Sequence, residues 1–98
     1  MKFVLRRVFE RPVRDEDIDR VIEGMGCVVE SWWYPAGDVG VAIARCGNVR
    51  KYFMPVIRTV KIVEELKLYE LGDREVEQLE KYAEGGEEPT FLRKILSR

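Results

Sequence analysis

Histidine is absent from this 98-residue chain. The chain therefore supplies no imidazole base, no Ser-His or Cys-His nucleophile pair and no imidazole metal ligand. Neutral polar residues are almost as scarce: one glutamine (Gln78), one asparagine (Asn48) and two serines. Thirteen glutamates and eleven arginines fill the polar surface in their place. Thermolabile amides replaced by charges are the pattern expected at high temperature, where removing charge from water costs less and ion-pair networks gain value. The expectation is a protein from a hot environment, and a melting temperature above the mesophilic range of about 45–65 °C checks it.

Other absences narrow the chemistry further. There are two cysteines, 19 positions apart, and no Cys-X-X-Cys pair. Without histidine they cannot complete a four-coordinate zinc site, so no metal is expected. No run of 18 apolar residues occurs, which argues against a membrane-spanning helix. Residues 1–7 lack the apolar stretch of a secretory signal. The expected location is cytoplasmic, with no contact to membranes. Gly24-Met25-Gly26 has Val29 where a dinucleotide fingerprint needs a third glycine, and it ends a helix rather than opening one. No phosphate-binding Gly-Lys-Ser/Thr loop is present, and no cofactor is expected. Asp15, Asp17 and Asp19 have the spacing of calcium-loop ligands. Arg20 replaces the required glycine and Gly26 the closing glutamate, so an acidic helix start explains them better. Glu75, Glu77, Glu80 and Glu84 read as a solvated helix face, with Glu77 and Lys81 an i, i+4 pair. With no assembled nucleophile, base or ligand set, the chain reads as non-enzymatic.

What is present is enough for one folded domain over 1–98. The chain is 46% hydrophobic and 36% charged, with a net charge of −1. Its length lies above the roughly 70–80 residues below which a core usually needs a staple. Residues 2–9 alternate as a strand, with Phe3, Leu5 and Phe9 on one face and Val4 and Val8 on the other. Residues 15–25 form a helix whose stripe is Ile18, Val21, Ile22 and Met25. Asp15 is placed to cap it and Gly26 to stop it. Residues 27–34 and 39–46 pair as a hairpin around Pro35-Ala36-Gly37-Asp38. Gly47-Asn48 suits a type II′ turn into a third strand at 49–54. Pro55 breaks the ladder, and the β-branched stretch 56–63 forms a fourth or edge strand. Residues 73–84 are helical, with Val76, Leu79, Tyr82 and Ala83 on one side. Pro89 opens a last helix with Phe91, Leu92, Ile95 and Leu96 as its stripe. The expected fold is α+β: an antiparallel sheet of about four strands, one N-terminal helix and two C-terminal helices. If 49–63 were helical, the alternative would be a ferredoxin-like split β-α-β.

Three features point toward function. The hairpin places Cys27 opposite Cys46, at a separation that overlaps the disulfide window; a bridge and two buried thiols are both open. Residues 39–61 carry Arg45, Arg50, Lys51, Arg58 and Lys61 with no acid, and Tyr52 and Phe53 lie among them. Basic strands with aromatics hold single-stranded nucleic acid by tracking phosphates and stacking bases. Residues 1–61 carry a net +3 and residues 62–98 a net −4, so pairing with the chain's own acidic part, or with that of another copy, competes with this reading. The third feature is Ser31-Trp32-Trp33-Tyr34-Pro35. In an unbroken register Trp33 lies over Gly40 with Val29, Ala42 and Ala44. Trp32 and Tyr34 lie on the other face with Val28, Val39, Val41 and Ile43. Both faces are then apolar, whereas a sheet with one wet face would alternate. Three short helices are expected to cover one face only. That leaves Trp32, Tyr34, Val39, Val41 and Ile43 as an interface to a second copy or another protein. The primary expectation is therefore a small self-associating interaction module. The alternative is a nucleic-acid-binding module built on Arg45, Arg50, Lys51, Tyr52, Arg58 and Lys61.

Overall fold

The computed structural model describes residues 1–96. Its elements are β1 (Lys2–Phe9), α1 (Asp15–Glu23), β2 (Cys27–Ala36), β3 (Val39–Cys46), β4 (Val49–Val60), β5 (Val63–Leu71), α2 (Asp73–Ala83) and α3 (Thr90–Ile95). The strands form one antiparallel sheet in the order β1-β5-β4-β3-β2. Strands β2 to β5 are successive hairpins. Helix α1 carries the chain from the β1 edge to the β2 edge. No helix among the described residues is long and apolar enough to cross a membrane.

The class is α+β, but the sheet has five strands rather than about four. The additional strand is β5, where Leu66 and Leu68 alternate with Glu65 and Lys67 and are fully buried. Its four acidic and basic side chains hide that alternation within a long acidic tract. Residues 49–60 are strand, which removes the helix that a ferredoxin-like arrangement would need. Strand β4 also runs straight through Pro55, which pairs with Leu68 of β5. The β3–β4 ladder ends at Ala42 and Phe53. Pro55 therefore lies past the ladder that its missing N–H would have interrupted.

Both sheet faces are covered from within the chain, contrary to the expectation of one bare apolar face. On one side Ile18 and Ile22 of α1 pack on Ala42, Ala44, Phe53, Leu66 and Leu68. On the other, Leu79 of α2 and Leu92 of α3 pack on Val39, Val41, Met54, Val56 and Leu71. Each such leucine contributes about 2 kcal/mol through burial alone. Because the helices lie on opposite sides, three short ones suffice. A register shift in β1 between Phe3 and Leu5 redistributes its side chains as well. Val4 and Leu5 both reach the α1 layer, while Phe3 turns to the opposite face and meets Tyr69 edge-on at 5.7 Å.

The start of α1 differs in one residue from the expected cap. Asp15 is already helical, and Asp17 closes the end instead. Its carboxylate accepts the Arg14 backbone N–H at 2.8 Å and a two-pronged bond from Arg11 at 2.7 and 2.8 Å. The Arg11 guanidinium first, and the Arg14 N–H second, hold the Asp17 carboxyl well below the usual carboxylate range. The adjoining loop is tied to the β4–β5 hairpin. Val13 N–H donates to Glu64 Oε1 at 2.8 Å, and the Thr59 hydroxyl donates to Glu64 Oε2 at 3.1 Å. Together these bonds fix where the N-terminal end of α1 stands over the sheet.

Candidate functional site

The β2–β3 hairpin begins in the expected register and then leaves it. Cys27 faces Cys46, Val28 faces Arg45 and Val29 faces Ala44. The Sγ atoms of Cys27 and Cys46 are joined, with the Cα atoms 4.2 Å apart. Gly47, at φ +66°, makes the tight turn from this end into β4, as a type II′ turn requires of its first central residue. An extra residue then enters β2 at Glu30, so Ser31 faces Ile43, Trp32 faces Ala42 and Trp33 faces Val41. A one-residue slip moves every following side chain to the other face.

The consequence is an exchange of the two tryptophans. Trp32 lies on the α1 side, packed against the layer of Ala42 and Ala44. Trp33 lies on the α2 side with Val41. Tyr34 follows Trp32 and stacks on it, with ring centroids 6.3 Å apart and planes 18° from parallel. Both rings lie across Gly40. A Cβ there would stand 3.2 Å from Tyr34 Cε1 and 3.5 Å from Trp32 Cζ3, so a side chain at this position would press on the shelf. Tyr34 remains 64% exposed, and Trp32 is half-buried.

This shelf forms one wall of a cleft of about 340 Å³, within the volume range of small binding sites. The opposite wall is Pro55 and Ile57 of β4, and the N-terminal end of α1 closes one side with Asp15 and Ile18. The β2–β3 turn contributes Asp38. The cleft opens here because the β3–β4 ladder stops at Phe53 while β4 runs on to Val60. Among the described residues its charged lining groups are Asp15 and Asp38. The cleft thus combines aromatic faces, apolar walls and acids. Among the described lining residues there is no cysteine, serine or lysine.

The expected interface is divided by the sheet itself. Val39 and Val41 are 3% and 0% exposed beneath α2 and α3, so they are core and not contact surface. Ile43 is half-buried beside Trp33, Tyr52 and Val76, also on the α2 side. Only Trp32 and Tyr34 stay together at the surface, and on the opposite face from that assigned in an unbroken register.

The basic set is likewise dispersed. Lys51 lies on the α1 side and pairs with Glu70 at 3.6 Å. Arg45 and Arg50 face each other on the α2 side, and Arg45 is held by Glu30 at 3.2 Å. Tyr52 is half-buried and packs against the α2 layer. Arg58 faces Glu65 across β4 and β5. Lys61 lies in the β4–β5 turn, eleven residues beyond Arg50. Eight residues of strand put Arg50 and Arg58 about 26 Å apart. Lys51 is thus on the opposite face from Arg45 and Arg50, and Arg58 and Lys61 stand toward the other end of β4.

Gly40, Pro55, Ile57 and Asp15 complete the cleft and were not legible as a site. The one available signal was Gly40 in an otherwise apolar strand, opposite a run of aromatics. The chain matches no family model, and no curated protein or solved structure matches it either.

Proposed function

We propose that this chain is a small, non-enzymatic protein-interaction module that engages its partner through the cleft walled by Trp32 and Tyr34. One observation supports the reading above the others. A stacked Trp–Tyr pair is held over a glycine at the mouth of an apolar cleft, and the exposed ring adds nothing to either core layer. Large aromatics at low conformational cost are the side chains that carry binding energy at protein interfaces. Self-association through Val39, Val41 and Ile43 is replaced by this smaller surface, since the first two are covered by the chain's own helices.

The test is site-specific photo-crosslinking. A benzophenone side chain replaces Tyr34 in one variant and Val28, an exposed residue at the other end of the hairpin, in a second. Irradiation in an extract of the source cell is expected to yield a discrete adduct from position 34 and none from position 28. Equal, diffuse labelling from both positions defeats the proposal. The purified protein run in parallel reveals whether the partner is another copy.

A further inference from the structure

We infer that the cavity between α2 and the sheet binds a methylated ammonium group, with Trp33 and Tyr52 as its aromatic walls and Glu80 as its counter-charge. The site lies on the opposite face of the sheet from the Trp32–Tyr34 cleft and does not depend on it.

The strand order builds the site. Trp33 of β2 faces Val41 of β3, and Tyr52 of β4 faces Ile43 of β3, so the two rings flank β3 from either side. Both belong to the α2 layer. Two strand spacings and a two-residue offset put their backbones roughly 12 Å apart, which leaves room between the rings. Ile43 lies between them, and Val76 and Glu80, one helical turn apart on α2, close the space from the helix side. The result is a cavity of about 230 Å³ lined by Trp33, Ile43, Tyr52, Val76 and Glu80. The first four are half-buried, and Glu80 is exposed at the rim.

The lining selects the ligand. Glu80 is its one charged group among the described residues. No ion pair or side-chain hydrogen bond to a described residue engages that carboxylate. Arg45 and Arg50 stand one row beyond Ile43 and Tyr52 on this face, but neither lines the cavity, and Arg45 is held by Glu30. A carboxylate or phosphate would be repelled by Glu80, whereas a cation is attracted both to it and to the ring faces. A bare ammonium or guanidinium brings more donors than one carboxylate and one phenol oxygen can accept, and donors left unpaired there cost affinity. Methyl groups on the nitrogen remove those donors, keep the charge, and give the rings, Ile43 and Val76 an apolar surface to contact.

The test is titration of the full chain with choline chloride, followed by amide and indole NMR shifts against sodium chloride at equal ionic strength. Shifts are expected at the Trp33 indole and at the amides of Ile43, Tyr52, Val76 and Glu80, with the Trp32 indole unmoved on the other face. The neutral isostere of choline, in which a tert-butyl group replaces the trimethylammonium, is expected to bind at least tenfold more weakly. Ethanolamine, which keeps the charge without the methyl groups, is expected to do the same. Glu80→Gln, a change at an exposed side chain, is expected to weaken choline binding about tenfold and to leave the neutral isostere unaffected. Tyr52→Leu keeps apolar bulk, removes the ring and is expected to weaken choline binding about tenfold. A trimethyllysine flanked by glycines, titrated beside choline, distinguishes the sources of the group. Tighter binding of the peptide assigns a methylated protein side chain, and tighter binding of choline a free ion. Equal affinity for choline and its neutral isostere overturns the inference, as does equal affinity for choline and ethanolamine. Choline binding left unchanged by Glu80→Gln overturns it too. Millimolar choline that moves no resonance, or that moves the Trp32 indole as far as the Trp33 indole, has the same consequence.

Discussion

The two ends of the β2–β3 hairpin are built on opposite plans. At one end Cys27 and Cys46 face each other in simple register, their sulfurs are joined, and the Gly47-Asn48 turn leads directly into β4. At the other end β2 has slipped by one residue at Glu30 and is irregular again before Ala36. There β3 and β4 part, Pro55 stands in the gap, and Trp32 and Tyr34 stack across Gly40. The closed end limits how far the strands can separate, and the open end presents the surface. Bulges that re-aim side chains beside a binding site are a recurrent use of such irregularities. A short hairpin can thus be regular and cross-linked at one end and irregular at the other, because the register is set locally.

The largest expected effect comes from releasing the closed end. Cys27→Ala/Cys46→Ala removes a cross-link spanning 19 residues, which costs about 3 kcal/mol by the loop-entropy relation. For a domain of this size the melting temperature falls by on the order of 15 °C. Thiol titration of the unfolded, unreduced wild-type protein is expected to find no free thiol. The cleft should survive in the folded variant, and photo-crosslinking from position 34 checks this.

Filling the open end should act the other way round. Gly40→Val puts carbon atoms where the Tyr34 and Trp32 rings lie, so stability falls by roughly 1–3 kcal/mol, the range for overpacking. Partner crosslinking from position 34 is lost while the sheet remains, as measured by photo-crosslinking and circular dichroism. If binding persists, the shelf is not the contact surface.

Acid should loosen the helix that borders the open end. Asp17 has its folded-state pKa lowered, chiefly by Arg11 and then by the Arg14 N–H. Its contribution is therefore complete above the ordinary aspartate pKa of about 3.9 and is lost progressively as pH falls below it. Glu65, lowered by its bond to Arg6 and then by neighbouring charge, adds to the same slope. Urea unfolding at stepped pH is expected to show stability falling below about pH 4. In Asp17→Asn that slope should be shallower.

The smallest stability effect is expected at Tyr34→Ala. A side chain this exposed should change stability by no more than about 0.5 kcal/mol, yet it should remove the crosslinkable surface. A further check concerns the dispersed basic residues. Filter binding to single-stranded DNA and RNA at two salt concentrations is expected to show no salt-sensitive affinity, since Lys51 and Arg45 are paired with carboxylates and Arg58 stands far from Arg50.

Much of the fold is legible in the residues, for physical reasons that operate over short distances. The α1 stripe of Ile18 and Ile22, the Leu79 side of α2 and the Gly47-Asn48 turn each follow from a period or a turn preference. The opposition of Cys27 and Cys46 follows from two turns at fixed spacing. Strand β5 was concealed because Glu64, Glu65 and Glu70 suggest a solvated tract, although Leu66 and Leu68 keep the alternation of a strand. The continuity of β4 through Pro55 was concealed too. Whether a proline interrupts a strand depends on whether a neighbour needs its N–H, and only the sheet reveals that β3 has already ended.

The candidate site was legible only as a composition. Adjacent tryptophans and a tyrosine in a hairpin announce that apolar surface must go somewhere, and the amino-acid order determined that Trp32 and Trp33 would take opposite faces. Which face each took depended on the single extra residue at Glu30. A bulge is a compromise among all the pairings along a strand, and no local preference of Val29, Glu30 or Ser31 requires it. The same holds for the coverage of Val39 and Val41: their burial depends on α2 and α3 settling on the side opposite α1. Local chemistry determined the elements and their turns; register and layer order, which are properties of the whole packed sheet, decided which aromatic pair was left at the surface.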